Sequence, residues 1–109
     1  INMTGASTSI VDAWEPLRLA AATVRAQLVG AASLRWRLPK EEIAVRDGVV
    51  SHASGVHAHF GELAGAAAGT PAGDVALKPR AAWTLIGRDT PRTDVVAKSD
   101  GSAVYGLDV

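Results

Sequence analysis

The sequence predicts an α+β fold in which a long alanine-rich helix and a shorter helix pack with a small hairpin or sheet. Apolar residues recur at spacings of three and four between residues 11 and 38, which indicates a helix with one apolar face. Short β-branched segments flank an Asp-Gly pair, and a second alanine-rich run follows them. The 109 residues are 48% hydrophobic but only 5% aromatic, so we expect one domain with a core of small side chains.

The apolar face of the first helix is a stripe of five residues: Trp14, Leu17, Ala21, Val24 and Leu28. Such a stripe is either a core face or, in an interaction module, a surface that packs on a partner. Because amphipathic helices usually bury their apolar face internally, we interpret the stripe as core. Trp14, Trp36 and Trp83 are the few large anchors that this core could use.

Two prolines bear on where this helix, predicted from about residue 11 to residue 38, begins and ends. Pro16 is tolerated at the first helical position, so either Glu15 caps a helix that starts at Pro16 or a short turn from Asp12 kinks there. Asp12 and Glu15 also have the spacing of a capping box. The residue before Pro39 avoids helical angles, so the helix should end before that proline.

A hairpin is predicted after this helix. Residues 43–45 and 49–50 are extended segments joined by Asp47-Gly48, a dipeptide typical of two-residue hairpin turns. A second turn at residues 53–55 precedes the extended segment 56–59. The sequence therefore predicts two or three short strands.

The remaining elements are a helix and several extended segments. Residues 60–68 should form a shorter helix that ends at Gly69, because glycine is a common helix-stop residue. Residues 83–87 are predicted to be extended, and residues 88–100 show no apolar periodicity. The alternation of residues 103–109 predicts the start of a further strand.

Composition excludes several classes of protein. Eleven basic residues balance eleven acidic ones, which argues against a nucleic-acid partner, because nucleic-acid binding needs a basic excess. The absence of cysteine excludes disulfide scaffolds, cysteine-ligated metals and thiol catalysis. The longest apolar stretch is interrupted by Arg25, so no membrane span is expected.

A run of small hydroxyl residues, Ser7-Thr8-Ser9, precedes the first helix. Hydroxyl side chains at this place often cap the helix. They can also hold a phosphate, because a helix N-terminus offers N–H groups and a partial positive charge. The residues by themselves favour capping and leave phosphate binding open.

No residue is assigned a catalytic or metal-binding role from the sequence. His57 and His59 would face one side of a strand, but no third ligand lies at a suitable spacing, so they are interpreted as a solvent-facing hairpin edge. Neither a nucleophile elbow nor a phosphate-binding glycine loop occurs. The carboxylates likewise show no arrangement for acid–base catalysis.

Several segments, taken together and in order, resemble the molybdenum-binding large subunit of the xanthine dehydrogenase/aldehyde oxidase family, in the branch of the isoquinoline 1-oxidoreductase β chains. The segments that carry the resemblance are residues 4–22, with Thr-Gly-Ala-Ser-Thr-Ser and the alanine-rich helix, 47–50, 60–64, 77–79, 85–87 and 92–109. They cover nearly the whole chain. The chain is therefore interpreted as a fragment of such a subunit.

The resemblance implies a role for Gly5, Ala6, Ser7, Thr8 and Ser9 in binding molybdopterin cytosine dinucleotide, the molybdenum cofactor of that branch. It implies that the parent protein is a molybdenum hydroxylase acting on aldehydes or N-heteroaromatic compounds such as isoquinoline. The family's catalytic glutamate motif, Gly-x-Gly-Glu, does not occur in this sequence, so the fragment itself should be inactive and hold no cofactor tightly.

The resemblance also implies an organisation and a setting. Residues 1–87 would belong to the cofactor-binding domain, and residues 88–109 would begin a hammerhead-like α/β domain. The partners would be the rest of the large subunit and a small subunit with 2Fe–2S clusters, and the location would be periplasmic. The alternative is a structural or interaction module that makes no contact with the cofactor.

Overall fold

The computed structural model describes residues 5–109 and confirms the α+β class. Its helices are α1 (Ser9–Trp36), α2 (Phe60–Ala68) and α3 (Val95–Asp100), its strands are β1 (Ile43–Arg46), β2 (Val49–His52) and β3 (His57–His59), and its short 3-10 helices are Lys40–Glu42, Arg80–Ala82 and Gly106–Asp108. Among the described residues, no helix combines the length and the apolar character that a membrane crossing requires.

Helix α1 begins earlier than either predicted start. It runs without interruption from Ser9 through Pro16, and Thr8 is the N-cap residue, so the predicted cap at Glu15 and the predicted start at Pro16 are wrong. Proline has helical φ and costs one hydrogen bond to the carbonyl of Asp12, and at an exposed position water can satisfy that carbonyl. The Asp12–Glu15 pair therefore lies inside the helix and forms no capping box.

The predicted end of α1 before Pro39 is confirmed. Arg37 takes up left-handed backbone angles with φ of 58°, and its N–H donates to the carbonyl oxygen of Ser33. The N–H of Leu38 donates to the same carbonyl oxygen at 3.2 Å, and the Ser33 hydroxyl donates to the carbonyl oxygen of Leu38 at 2.6 Å. These bonds satisfy backbone groups that a helix end leaves without intrahelical partners.

The three strands form one antiparallel sheet in the order β1-β2-β3. Asp47 and Gly48 have φ of 49° and 79°, the positive values that a two-residue hairpin turn requires. In this register Val45 pairs with Val50 and Val50 pairs with Ala58. The hairpin predicted from the sequence is thus confirmed and extended by a third strand.

The core lies between the C-terminal half of α1, one face of the sheet and α2. Its buried side chains are Leu28, Val29, Ala31, Ala32, Ile43, Val50, Ala58, Leu63 and Ala67, with Trp36, Val45 and Phe60 packed at its edge. Of the apolar stripe predicted as core, only Leu28 is buried, while Leu17 and Val24 are 66% and 53% exposed. The prediction fails there because the buried residues of α1 all lie between Leu28 and Ala32.

The residues divide into two compact units, Ile1–Leu77 and Lys78–Val109. The second unit contains α3 and an indole N–H bond from Trp83 to the carbonyl oxygen of Lys78 at 3.2 Å, but none of its residues is buried. Helix α3 was not predicted. The prediction of a strand at residues 103–109 is wrong. The second unit contains no strand with which this segment could pair, and a 3-10 helix forms at Gly106–Asp108 instead. Residues 83–87, which were predicted to be extended, form bends and a turn.

Candidate functional site

The hydroxyl-rich segment before α1 forms a tight turn. Ala6 and Ser7 both have left-handed backbone angles, with φ of 51° and 55°. The N–H and the hydroxyl of Thr8 both donate to the carbonyl oxygen of Gly5, each at 3.3 Å. The five residues predicted to contact a cofactor, which include Ser9, therefore lie together at the N-terminus of α1.

The hydroxyl of the N-cap residue does not cap the helix. Thr8 makes no side-chain hydrogen bond to the first turn of α1, and the proton of its Oγ1 is donated to the carbonyl oxygen of Gly5. The first N–H groups of a helix lack partners within it and carry the positive end of the helix dipole. Asp12 lies in the same first turn, so its carboxylate is already one negative charge near this end.

The segment of residues 5–9 is accessible to another molecule. Ala6, Ser7, Thr8 and Ser9 are exposed, and Gly5 is half-buried. The side chains of Ser7 and Ser9 flank the Thr8 N-cap along the chain. The arrangement can present hydroxyl and N–H donors to an anion, which is the chemistry that a phosphate needs.

The histidines of β3 lie where the sequence predicted them. His57 and His59 are exposed on either side of buried Ala58, on the edge strand of the sheet. Nδ1 of His57 lies 3.2 Å from the carbonyl oxygen of Gly55. Within residues 5–109, no three or more His, Asp or Glu side chains converge in a way that could hold a metal ion.

A hydrogen-bonded cluster of Glu42, His52 and Ser54 was not predicted from the sequence. Nε2 of His52 lies 2.9 Å from Oε2 of Glu42, and Nδ1 of His52 lies 2.8 Å from Oγ of Ser54. The backbone N–H of Ser54 also donates to Nδ1, at 3.0 Å, so Nδ1 carries the lone pair and the ring proton lies on Nε2. The hairpin register could have revealed this cluster. Ile43 pairs with His52, and Glu42 directly precedes Ile43, so the register places Glu42 near His52.

An open apolar groove of about 420 Å³ lies between α1 and α2. Its lining residues are Val24, Gln27, Leu28, Phe60, Gly61, Ala64, Ala67 and Ala68. Most of these side chains are small or aliphatic. The groove continues the exposed part of the apolar stripe of α1 at Val24.

Comparison with known proteins gives two relatives that match almost the whole chain. The β subunit of isoquinoline 1-oxidoreductase from Brevundimonas diminuta is 33% identical over 143 aligned positions, which include 99% of this chain and 18% of the relative. The B subunit of nicotinate dehydrogenase from Pseudomonas putida is 35% identical over 106 positions, which include 95% of this chain and 9% of the relative. No family model matches the chain.

The chain thus spans less than a fifth of the length of either relative. The resemblance that the motifs indicate is confirmed by both matches. The chain therefore fits a segment of the family that includes the isoquinoline 1-oxidoreductase β subunit and the nicotinate dehydrogenase B subunit.

Proposed function

We propose that the chain is a segment of the molybdopterin-binding large subunit of an oxidoreductase that hydroxylates N-heteroaromatic compounds or aldehydes. The names of both relatives are those of oxidoreductase subunits, and isoquinoline and nicotinate are both N-heteroaromatic. The parent protein would be a molybdenum hydroxylase. The segment would contribute to binding and would not catalyse the hydroxylation by itself.

Residues 5–9 would hold the phosphates of molybdopterin cytosine dinucleotide. The observation that carries this proposal is the α1 N-terminus, where the Thr8 hydroxyl bonds to Gly5 and leaves the first turn of the helix without a cap from that side chain. The hydroxyls of Ser7 and Ser9 and the first-turn N–H groups would donate charge-assisted hydrogen bonds to phosphate oxygens. The cofactor would supply the redox chemistry of the parent enzyme.

The carboxylate of Asp12 would oppose an anion at this site. It lies in the first turn of α1, where it already interacts favourably with the positive end of the helix dipole. A phosphate bound at Ser7 and Ser9 would lie close to the same end of the helix. The carboxylate of Asp12 would therefore repel it. Removing this charge should therefore strengthen phosphate binding, whereas removing the hydroxyls should weaken it.

The remaining parts of the proposal concern the parent protein. Its other partners would be the rest of the large subunit and a small subunit with 2Fe–2S clusters, and its location would be the periplasm. These proposals rest on the family resemblance, and the fact that both relatives are named as subunits supports a complex of several chains.

The phosphate site can be tested by titrating the chain with inorganic phosphate and following backbone amide resonances. We expect shifts at the amides of residues 7–11, smaller shifts in Ser7→Ala and Ser9→Ala, and larger shifts in Asp12→Asn. Ser102→Ala is the matched control, because Ser102 is exposed and bonded to Asp100 far along the chain. Shifts confined to other residues would overturn the assignment.

An alternative proposal is an interaction module that makes no contact with a cofactor. The apolar groove between α1 and α2 favours it, since such a groove suits an apolar side chain of another protein. Molybdenum analysis of the full natural reading frame, purified with its neighbouring subunit, separates the two proposals. Near-stoichiometric metal supports the hydroxylase, whereas metal-free protein from cells that make active molybdoenzymes supports the module.

A further inference from the structure

The cluster of Glu42, His52 and Ser54 has the parts of an activated nucleophile. Such a nucleophile needs a base within about 2.6–3.2 Å and a third group that orients the base. Here the hydroxyl and the imidazole are 2.8 Å apart, and the imidazole and the carboxylate are 2.9 Å apart. Both distances satisfy this requirement.

The three residues of the cluster differ in how far their side chains are exposed. The His52 side chain is only 11% exposed, whereas the Glu42 side chain is 58% exposed and Ser54 is exposed. The imidazole is therefore held in place and shielded, while the hydroxyl is open to an incoming molecule. Because Nε2–H donates to Glu42, the unprotonated Nδ1 faces Ser54, and the backbone N–H and the hydroxyl of Ser54 share its single lone pair.

We propose that Ser54 is a nucleophilic serine that small activated esters acylate, with His52 as its base and Glu42 as the positioning residue. Oγ of Ser54 would form a bond to the carbonyl carbon, and the bond from that carbon to the leaving oxygen would break. The Oγ proton would pass to Nδ1 of His52 and then to the leaving oxygen. The products are an acyl-serine and an alcohol or phenol, so no oxidant or other co-reactant is needed.

Two backbone N–H groups next to the Ser54 hydroxyl are already engaged in hydrogen bonds. The N–H of Ser54 is bonded to Nδ1 of His52, and the N–H of Gly55 donates to the carbonyl oxygen of His52 at 3.0 Å. Neither N–H is directed at a position where an oxyanion would form, and paired donors of that kind supply much of the rate in acyl transfer. Acylation and hydrolysis both lack this stabilisation, but the phenolate of an activated ester leaves far more readily than a serine alkoxide, so we expect the acyl-serine to accumulate.

The test uses p-nitrophenyl acetate with the full chain. We expect a burst of about one equivalent of p-nitrophenolate and an acetyl group on the peptide that contains Ser54. A positioned base typically contributes about 10²–10⁴-fold, so Ser54 should react at least about tenfold faster than Ser102, an exposed serine bonded to a carboxylate instead of an imidazole. Ser54→Ala should abolish the burst, and Ser102→Ala should keep it.

Two further variants separate this proposal from simpler explanations. His57→Gln should leave the burst unchanged, which excludes attack by that exposed imidazole. Glu42→Gln keeps an acceptor for Nε2 but removes the charge, so it should slow acylation while the circular dichroism spectrum stays the same. Equal labelling of Ser54 and Ser102, or a burst that survives Ser54→Ala, would mean that the cluster only fixes the turn.

Discussion

Gly30 of α1 lies so close to Thr70 that a β-carbon at position 30 would stand 2.8 Å from Cγ2 of Thr70. Thr70 cannot easily move away, because its hydroxyl donates to the carbonyl oxygen of Ala66 at 2.8 Å. Its own carbonyl oxygen accepts a bond from Nε2 of Gln27 at 3.1 Å. This contact joins the C-terminal end of α2 to the buried part of α1.

Gly30→Ala should therefore destabilise the fold. Overpacking of a buried site costs about 1–3 kcal/mol, whereas the better helix propensity of alanine returns about 1 kcal/mol. We expect a net loss of about 1 kcal/mol in the free energy of unfolding, measured by urea denaturation. Adding Thr70→Ser removes Cγ2 and should restore much of the loss, whereas a stable single variant would show that Thr70 yields freely.

Gly65→Ala should have the opposite effect. Gly65 lies inside α2, and a β-carbon there would meet no atom within 4 Å. Only the propensity difference remains, so the free energy of unfolding should rise by about 0.5–1 kcal/mol. The same urea experiment checks this prediction, and a loss of stability would mean that α2 does not keep its helical form.

Leu63 is the largest completely buried side chain among the described residues. Leu63→Ala should lower the free energy of unfolding by about 2–5 kcal/mol, because it removes apolar contacts and leaves a cavity. Leu107→Ala is the matched control, since Leu107 is fully exposed and should change stability by less than about 0.5 kcal/mol. Equal midpoints for the two variants would contradict the described core.

Most of the fold around the core could be predicted from the sequence. The Asp47-Gly48 pair predicted the hairpin, and Gly69 and Pro39 predicted where α2 and α1 end. These signals are local, because each depends on the backbone angles that one residue type allows. What could not be predicted was how far other elements cover a helix, and so Leu17 and Val24 were wrongly assigned to the core.

The candidate sites depended on different kinds of information. Residues 5–9 are contiguous, so the resemblance carried by the sequence was enough to propose them as a candidate site. The cluster of Glu42, His52 and Ser54 depends on the pairing of β1 with β2 and on the side-chain orientation of His52. Such a cluster has no fixed spacing in sequence, which is why no motif indicated it.

Pro16→Ala tests the uninterrupted course of α1. Proline inside a helix removes one hydrogen bond and costs about 3 kcal/mol relative to alanine. Because Pro16 is exposed and lies within Ser9–Trp36, alanine should strengthen the N-terminal part of the helix. We expect slower amide hydrogen exchange at residues 12–20. Unchanged exchange there would indicate that the helix does not extend across position 16.

Two basic side chains contact the carboxylate of Asp94, the N-cap residue of α3. Oδ2 of Asp94 lies 2.7 Å from Nζ of Lys98, and a two-point contact joins the carboxylate to Arg92 at 2.8 and 3.0 Å. Lys98 first and Arg92 second lower the pKa of Asp94 below its ordinary value of 3.8. A lowered pKa in the folded state means that the carboxylate stabilises α3 above its ordinary pKa.

This stabilisation should be lost as the pH falls through the lowered pKa of Asp94. We expect the Cα chemical shifts of residues 95–98 to move toward unfolded values in acid, and added salt at neutral pH to weaken the helix because the groups are exposed. Asp94→Asn should abolish most of this pH response. A small response should remain, because the hydroxyl of Ser102 and then its backbone amide also lower the pKa of Asp100. If Asp94→Asn kept the full response, the ion pairs would not be what holds this helix.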